Sequence, residues 1–102
     1  MKIFLDTAVF EDIQKFTQTG LIDGVTTNPS LILKSGGDPV ETIKKISGEF
    51  PYFESISAEV VAEEAMEMVE QAQSFKDMQN VTIKVPLTVE GLKACKLLTS
   101  DG

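Results

Sequence analysis

The chain has 102 residues, 42% of them hydrophobic and 25% charged, which is typical of one soluble globular domain. Its net charge of −7 disfavours binding to a nucleic-acid backbone or to an anionic membrane. No apolar run approaches the ~20 residues of a membrane span and no signal peptide is recognised, so we expect a cytoplasmic protein. The chain has one cysteine, Cys95, and no histidine, which leaves almost no ligands for zinc. We expect Cys95 to be a packed core residue.

Strand-like and helix-like segments alternate along the chain. Short apolar and β-branched runs predict strands at residues 2–7, 24–27, 54–61 and 81–87. Helical spacing of apolar residues and capping residues predict helices at about 9–19, from 29, from 39, through 65–75 and at about 88–100. Strands that alternate with helices at this spacing indicate βαβ units, a parallel sheet and a single α/β domain over residues 1–102.

One face of each predicted strand is apolar and the other is polar, because successive side chains of a strand point to opposite faces. The polar set consists of Asp6, Thr26, Asn28, Ser57, Glu59, Thr82 and Lys84. An open doubly wound sheet is usually covered by helices on both faces and is apolar on both. The parity therefore favours a (β/α) barrel, with the polar set facing a shared interior near the C-terminal strand ends, where such barrels build their active sites.

Lys84 lies in the run VTIKVPL at residues 81–87, which is typical of a buried strand. Burial disfavours the ammonium ion and leaves a neutral amine, a nucleophile that forms a Schiff base with a carbonyl. The alternative is a structural lysine whose head reaches water or forms an ion pair. The other polar residues of the predicted sheet favour the chemical interpretation.

Asp6 and Glu59 are the candidates for proton transfer, since the chain has no histidine. Asn28 can orient a hydroxyl group and Thr26 can order a water. Each residue also has a structural interpretation: Asp6 and Asn28 as helix N-caps, and Glu59 as the ion-pair partner of Lys84. For Asn28 alone the cap is the better explanation, whereas the four residues together are less easily explained as caps and pairs.

Four segments closely resemble the small-subunit transaldolases, a group that also includes fructose-6-phosphate aldolase-like enzymes. They are FLDTA at 4–8, GVTTNPSLI at 24–32, SAEV at 57–60 and IKVPLTVEGLKA at 83–94. The resemblance covers the chain from end to end, with the motifs in the order and spacing of the family. It implies the N-terminal half of a TIM (β/α)8 barrel.

The resemblance also implies roles for the site residues. Lys84 would form the Schiff base with a ketose phosphate, and Asp6 would be the base for bond cleavage and the acid for re-addition. Glu59 would act with Thr26 and a water in forming and hydrolysing the imine. The residues implied in substrate binding are Asn28, Thr26 and Ser57. No cofactor and no metal is implied.

Glu59 bears on the reaction type. The aldolase-type relatives tend to carry glutamine at this position, whereas the transaldolases carry glutamate. The resemblance therefore implies transfer of a dihydroxyacetone unit between sugar phosphates in the pentose phosphate pathway. Two alternatives stay open: a lyase that releases free dihydroxyacetone, and a non-enzymatic half-barrel.

The chain is short for a closed barrel, which needs ~200 residues or more. We expect four strands with helices on one face, and little or no activity from this chain alone. All nine basic residues are lysines, and the resemblance places the family's phosphate-gripping arginine in later strands. Unpaired edge strands invite pairing with another chain. We therefore expect a homo-oligomer in which two half-barrels complete one barrel about a two-fold axis, with a sugar phosphate as substrate.

Overall fold

The computed structural model describes residues 1–34 and 36–100. The strands are β1 (Phe4–Asp6), β2 (Gly24–Thr26), β3 (Ser55–Glu59) and β4 (Val81–Lys84). The helices are α1 (Phe10–Thr17), α2 (Pro29–Lys34), α3 (Pro39–Glu49), α4 (Ala65–Ala72) and α5 (Val89–Ser100), and a 3-10 turn at Gln73–Phe75 follows α4. The predicted alternation of strands and helices is confirmed.

The four strands form one parallel sheet in the order β1-β2-β3-β4. Asp6 lies opposite Thr26, Thr26 lies opposite Ser57, and Glu59 lies opposite Lys84. Sequential parallel strands with intervening helices are the arrangement of the first half of a TIM barrel, which confirms the predicted fold class.

The core lies between the sheet and the helices and has two parts. The larger part packs under β1, β2 and β3 and consists of Ala8, Ile13, Val25, Ile32, Ile43, Ile46, Phe50, Phe53, Ile56, Ala58 and Phe75. The smaller part joins α4 to α5 and consists of Val60, Ala65, Met68, Ala72 and Ala94. Ile83 packs against both parts, so β4 is anchored on its apolar side.

Side-chain hydrogen bonds to the backbone lie at the start of two of the helices. The Asp38 carboxylate accepts a hydrogen bond from the Glu41 backbone N–H at 3.0 Å, which confirms the predicted start of α3. α1 begins one residue later than predicted, with Val9 as its N-cap residue. The Thr7 hydroxyl accepts from the Val9 backbone N–H at 3.1 Å, so Thr7 rather than Asp6 satisfies the backbone at this turn.

The prediction that Cys95 is a core residue is wrong, because its side chain is exposed. The inner face of α5 is formed by Gly91 and Ala94, which are buried, and by Leu98, which is partly buried. These residues are spaced by three and four positions, and the next residue on a helix is rotated by about 100° away from that stripe.

Among the helices described within 1–34 and 36–100, none combines the length and the apolar character that crossing a bilayer requires.

Candidate active site

The sheet has a second face that the helices do not cover. Along β3, Ile56 and Ala58 are buried against the helices, whereas Ser57 and Glu59 are only partly buried. Strand register places the matching residues of the other strands on the same side. We call this side the open face, and its residues are Phe4, Asp6, Gly24, Thr26, Ser55, Ser57, Glu59, Thr82 and Lys84. The predicted separation of polar and apolar faces is confirmed for the polar residues within the strands, whereas Asn28 lies beyond β2 and the apolar Phe4 also lies on the open face.

Lys84 is the last residue of β4 and lies on the open face. Its side chain is 48% exposed, so the prediction of a buried lysine is wrong for this chain. The physical reason is that Val81 and Ile83 pack toward the helices while nothing described within the chain covers the opposite side of β4.

Glu59 ends β3 directly opposite Lys84 in the parallel register. Lys84 Nζ lies 4.0 Å from Glu59 Oε2, which is longer than a direct hydrogen bond. The Glu59 side chain is the more enclosed of the two, at 23% exposed. The ion pair expected from the structural interpretation is therefore present in weak form, and the same contact places a carboxylate beside the amine.

Asp6 and Thr26 form a second polar pair on the open face. The Thr26 hydroxyl donates a hydrogen bond to Asp6 Oδ1 at 3.0 Å, across the register of β1 and β2. The alternative interpretation of Asp6 as a cap of the first helix is wrong, since Val9 is the N-cap residue of α1. Both carboxylates thus lie at the C-terminal ends of their strands, each beside a polar partner from the next strand.

Asn28 follows β2 and caps α2. Its side-chain Oδ1 accepts from the Leu31 backbone N–H at 3.0 Å, and its backbone carbonyl accepts from Ile32 N–H at 3.1 Å. The structural interpretation of Asn28 is therefore confirmed. The amide nitrogen remains the group with which Asn28 can contact a ligand hydroxyl, because Oδ1 is engaged at the helix.

Hydroxyl side chains occupy the middle of the open face. Ser57 lies between Thr26 and Thr82 in the register, and Ser55 Oγ lies 2.6 Å from Thr82 Oγ1. Toward the N-terminal ends of the strands, a Cβ at Gly24 would lie 2.5 Å from the Phe4 ring and 2.2 Å from the Ser55 carbonyl oxygen. Only glycine therefore allows the Phe4 ring to lie across β2 at this end of the open face.

Three residues that hold the segments after β3 and β4 could not be found from the sequence. Gln71 accepts from the backbone after β3, Glu90 accepts from the Ala65 N–H at 3.3 Å, and Gly91 lies against Pro86 after β4. Gln71 and Glu90 contact partners nine or more residues away in the chain, so no local pattern reveals them. The hydrogen bond from Lys93 and then that from Ala65 hold the pKa of Glu90 below its ordinary value.

The open face and the strand ends beside it offer an amine, two carboxylates, an amide and several hydroxyls. Within 1–34 and 36–100, no three acidic or thiol side chains converge in the way that a metal ion requires. A primary amine beside a carboxylate can form and hydrolyse an imine, and a second carboxylate can move a hydroxyl proton. The arrangement therefore contains the groups needed for Schiff-base chemistry on a carbonyl substrate.

Comparisons with known proteins identify one family. A family profile described as Transaldolase/Fructose-6-phosphate aldolase matches residues 3–102. Proteins named "Probable transaldolase" are 53% identical in Sinorhizobium medicae, 50% in Erythrobacter litoralis and 53% in Hyphomonas neptunium. Each alignment covers 100% of this chain and 46%, 46% and 47% of the relative, respectively. The chain thus spans about half the length of the curated relatives it matches, and it belongs to the transaldolase/fructose-6-phosphate aldolase family.

Proposed function

We propose that this chain carries the Schiff-base centre of a transaldolase. The enzyme would transfer a dihydroxyacetone unit from fructose 6-phosphate or sedoheptulose 7-phosphate to an aldose phosphate, in the cytoplasmic pentose phosphate pathway. The observation that carries the proposal is the pairing of Lys84 with Glu59 on adjacent strands, on the same face and at the same strand ends as Asp6 with Thr26. Membership of the family supports the class of reaction.

In the proposed reaction, the Lys84 amine attacks the C2 carbonyl of the ketose and, with loss of water, forms an imine. Glu59 moves the protons of this addition and dehydration, since it lies beside the Lys84 amine. Asp6 takes the proton of the C4 hydroxyl as the C3–C4 bond breaks, the aldose phosphate leaves, and the bonding pair passes into the protonated imine to give a neutral enamine. The enamine attacks the acceptor aldehyde, Asp6 returns its proton, and water hydrolyses the new imine.

The exposure of the open face limits this activity. Schiff-base lysines are activated by desolvation, and the Lys84 side chain is 48% exposed in this chain. All nine basic residues are lysines, so the chain offers no bidentate clamp for a sugar phosphate. We therefore expect the isolated chain to turn over fructose 6-phosphate slowly or not at all.

The same proposal includes a partner that packs over the open face, and this partner is a second copy of the chain. Among the described residues the sheet has two unpaired edges, β1 and β4, and four strands from each of two copies make the eight strands of a closed barrel. Asp6 lies on one edge strand and Lys84 on the other, both at the C-terminal end. Parallel pairing of β4 with the partner's β1 would therefore bring opposite charges together.

Reductive trapping tests the proposed chemistry. The chain is incubated with dihydroxyacetone or fructose 6-phosphate, reduced with borohydride and analysed by peptide mass. We expect one covalent adduct on Lys84, and none in Lys84→Met. Lys93→Met is the matched control, because Lys93 is an exposed lysine of α5 paired with Glu90. An adduct spread over several lysines, or no adduct in the wild-type chain, contradicts the proposal and favours a non-enzymatic half-barrel.

A lyase is the second candidate, since the family includes fructose-6-phosphate aldolases. Glu59 favours the transferase, because glutamate at this position resembles the transaldolases. The two are separated by the fate of the enamine: a lyase releases free dihydroxyacetone from fructose 6-phosphate without an acceptor, and a transferase requires an aldose phosphate. Release without acceptor at a rate equal to that with acceptor would favour the lyase.

A further inference from the structure

The chain leaving β3 is held by the side chain of Gln71. Glu59 is the last residue of β3, and Gln71 is the penultimate residue of α4. Gln71 Oε1 accepts two backbone hydrogen bonds, from Val61 N–H at 2.9 Å and from Ala62 N–H at 3.1 Å. One carboxamide oxygen therefore fixes the second and third residues after Glu59.

Val60, the residue between Glu59 and Val61, is held by β4. The Val60 N–H donates to the Lys84 carbonyl at 3.1 Å, and the Val60 side chain is buried against α4. Three successive backbone N–H groups after Glu59 thus have fixed acceptors: the first donates to the Lys84 carbonyl of β4, and the next two donate to Gln71 Oε1 of α4. Because the ladder to β4 ends at this point, Gln71 is the group that continues the restraint beyond the strand.

We propose that Gln71 is a positioning residue that sets the distance between the Glu59 carboxylate and the Lys84 amine. The inference deepens the proposed function and depends on it. A group that moves protons must be held within roughly 0.5 Å of its productive position. Glu59 is the last residue of β3, and Gln71 and Glu59 line the same cleft beside Val60. Loss of the carboxamide oxygen would free the backbone on which Glu59 is carried.

Two variants of Gln71 distinguish the effect of its hydrogen-bond acceptor from the effect of its side-chain length. Gln71→Met keeps the length of the side chain and removes the acceptor, whereas Gln71→Glu keeps an oxygen that can accept from both N–H groups. The matched control is Gln73→Met, because Gln73 directly follows α4 and its amide donates to the Val69 carbonyl one turn earlier, away from the segment after β3. The first readout is the rate of borohydride-trapped adduct formation on Lys84 with saturating dihydroxyacetone.

We expect the trapping rate to fall about tenfold in Gln71→Met, a typical effect of loosening a positioned group, and to stay within about twofold of wild type in Gln71→Glu and Gln73→Met. Circular dichroism and urea unfolding establish that each variant is folded under the assay conditions. In the Glu59→Gln background, Gln71→Met should cause no further loss, because Gln71 acts through Glu59. Equal losses in both backgrounds, or a loss in Gln71→Glu equal to that in Gln71→Met, would overturn the proposal.

A second readout does not depend on adduct formation at Lys84. The carboxylate carbon of Glu59 is observed by NMR, together with hydrogen exchange of the Val61 and Ala62 amides. Faster exchange with a displaced Glu59 signal in Gln71→Met supports positioning, and an unchanged Glu59 signal overturns it. If the wild-type chain traps no dihydroxyacetone, the proposed function fails while this readout still decides whether Gln71 positions Glu59.

Discussion

Thr26 and Thr27 are neighbours whose hydroxyl groups point to opposite faces of the sheet. Thr26 lies on the open face and donates to Asp6 at 3.0 Å. Thr27 is 0% exposed, and its hydroxyl donates to the Ser57 carbonyl at 2.7 Å on the helix side. Thr26 therefore contributes to the arrangement of the open face, and Thr27 contributes to the stability of the fold.

The two Thr→Val variants should behave differently. Thr27→Val removes a buried hydrogen bond and should lower the free energy of unfolding by about 1–2 kcal/mol. Thr26→Val removes a hydrogen bond on the open face and should cost less than about 0.5 kcal/mol. Urea unfolding measures both, and the NMR signal of the Asp6 carboxylate should move only in Thr26→Val. Equal losses of stability would contradict the assignment of the two faces.

Single residues also show the limit of the sequence analysis. The faces of Asp6, Glu59 and Lys84 could be predicted because alternation along a strand is local. The exposure of Lys84 could not, because it depends on what covers the strand rather than on the strand itself. Asn28 has a capping bond whether or not it also contacts substrate, so its type and position fit both interpretations.

At the scale of elements, the loop from β4 to α5 is held by glycine. A Cβ at Gly91 would lie 1.9 Å from the Pro86 carbonyl oxygen, and the Gly91 N–H donates to the Thr88 hydroxyl at 2.9 Å. The close approach leaves no room for any side chain. This loop directly follows Lys84, so its path fixes the direction in which β4 ends.

Gly91→Ala should therefore destabilise the chain by about 1–3 kcal/mol, since the loop or the helix must shift. Gly48→Ala is the matched control: Gly48 lies in α3 and a Cβ there meets nothing within 4 Å. Alanine should stabilise that helix by up to about 1 kcal/mol. Thermal or urea unfolding of the two variants checks the opposite signs, and a neutral Gly91→Ala would show that the contact with Pro86 is easily relieved.

The start of α4 and the start of α5 are joined by Glu90. Lys93 Nζ lies 3.0 Å from its carboxylate and the Ala65 N–H donates to it, and these two contacts lower the pKa of Glu90. Because the folded pKa is below the unfolded one, the stabilisation is present above the unfolded value of about 4.3 and is lost as the pH falls through the folded value.

We expect Glu90→Gln to reduce the free energy of unfolding at pH 7, with a difference from wild type that shrinks as the pH falls below about 4.3. Lys93→Met should remove most of the same pH dependence, because the Lys93 ammonium is the main cause of the lowered pKa. Urea unfolding at a series of pH values measures the effect. A difference that does not change with pH would mean that the charge of Glu90 is unimportant.

The order and type of the elements could be predicted because each strand and helix has its own local pattern. Their ends could not: β3 was predicted at residues 54–61 and spans Ser55–Glu59, because strand pairing stops where the backbone turns toward Gln71. The inner face of α5 was also missed. Gly91 and Ala94 are small enough to lie against the neighbouring segments, so the larger Cys95 and Leu97 face outward.

At the scale of the whole molecule, several large apolar side chains are exposed to solvent. Val9 and Phe16 are exposed at the start of α1 and along it, after the edge strand β1, and Leu92 and Leu97 are exposed on α5, after the edge strand β4. Exposed apolar side chains on the helices that follow both edge strands agree with the proposed burial against a second copy.

The proposed pairing predicts a homodimer in solution, seen by light scattering at about 10 µM as twice the mass of one chain, a concentration at which a specific interface is populated. With a charge of −7 per copy, added salt should strengthen association by screening the repulsion between copies. Asp6→Lys would place like charges where β4 meets the partner's β1 and should weaken the dimer at least tenfold. Adding Lys84→Asp to that variant restores opposite charges and should restore the dimer. A monodisperse wild-type monomer, or a double variant as weak as the single one, would contradict this arrangement.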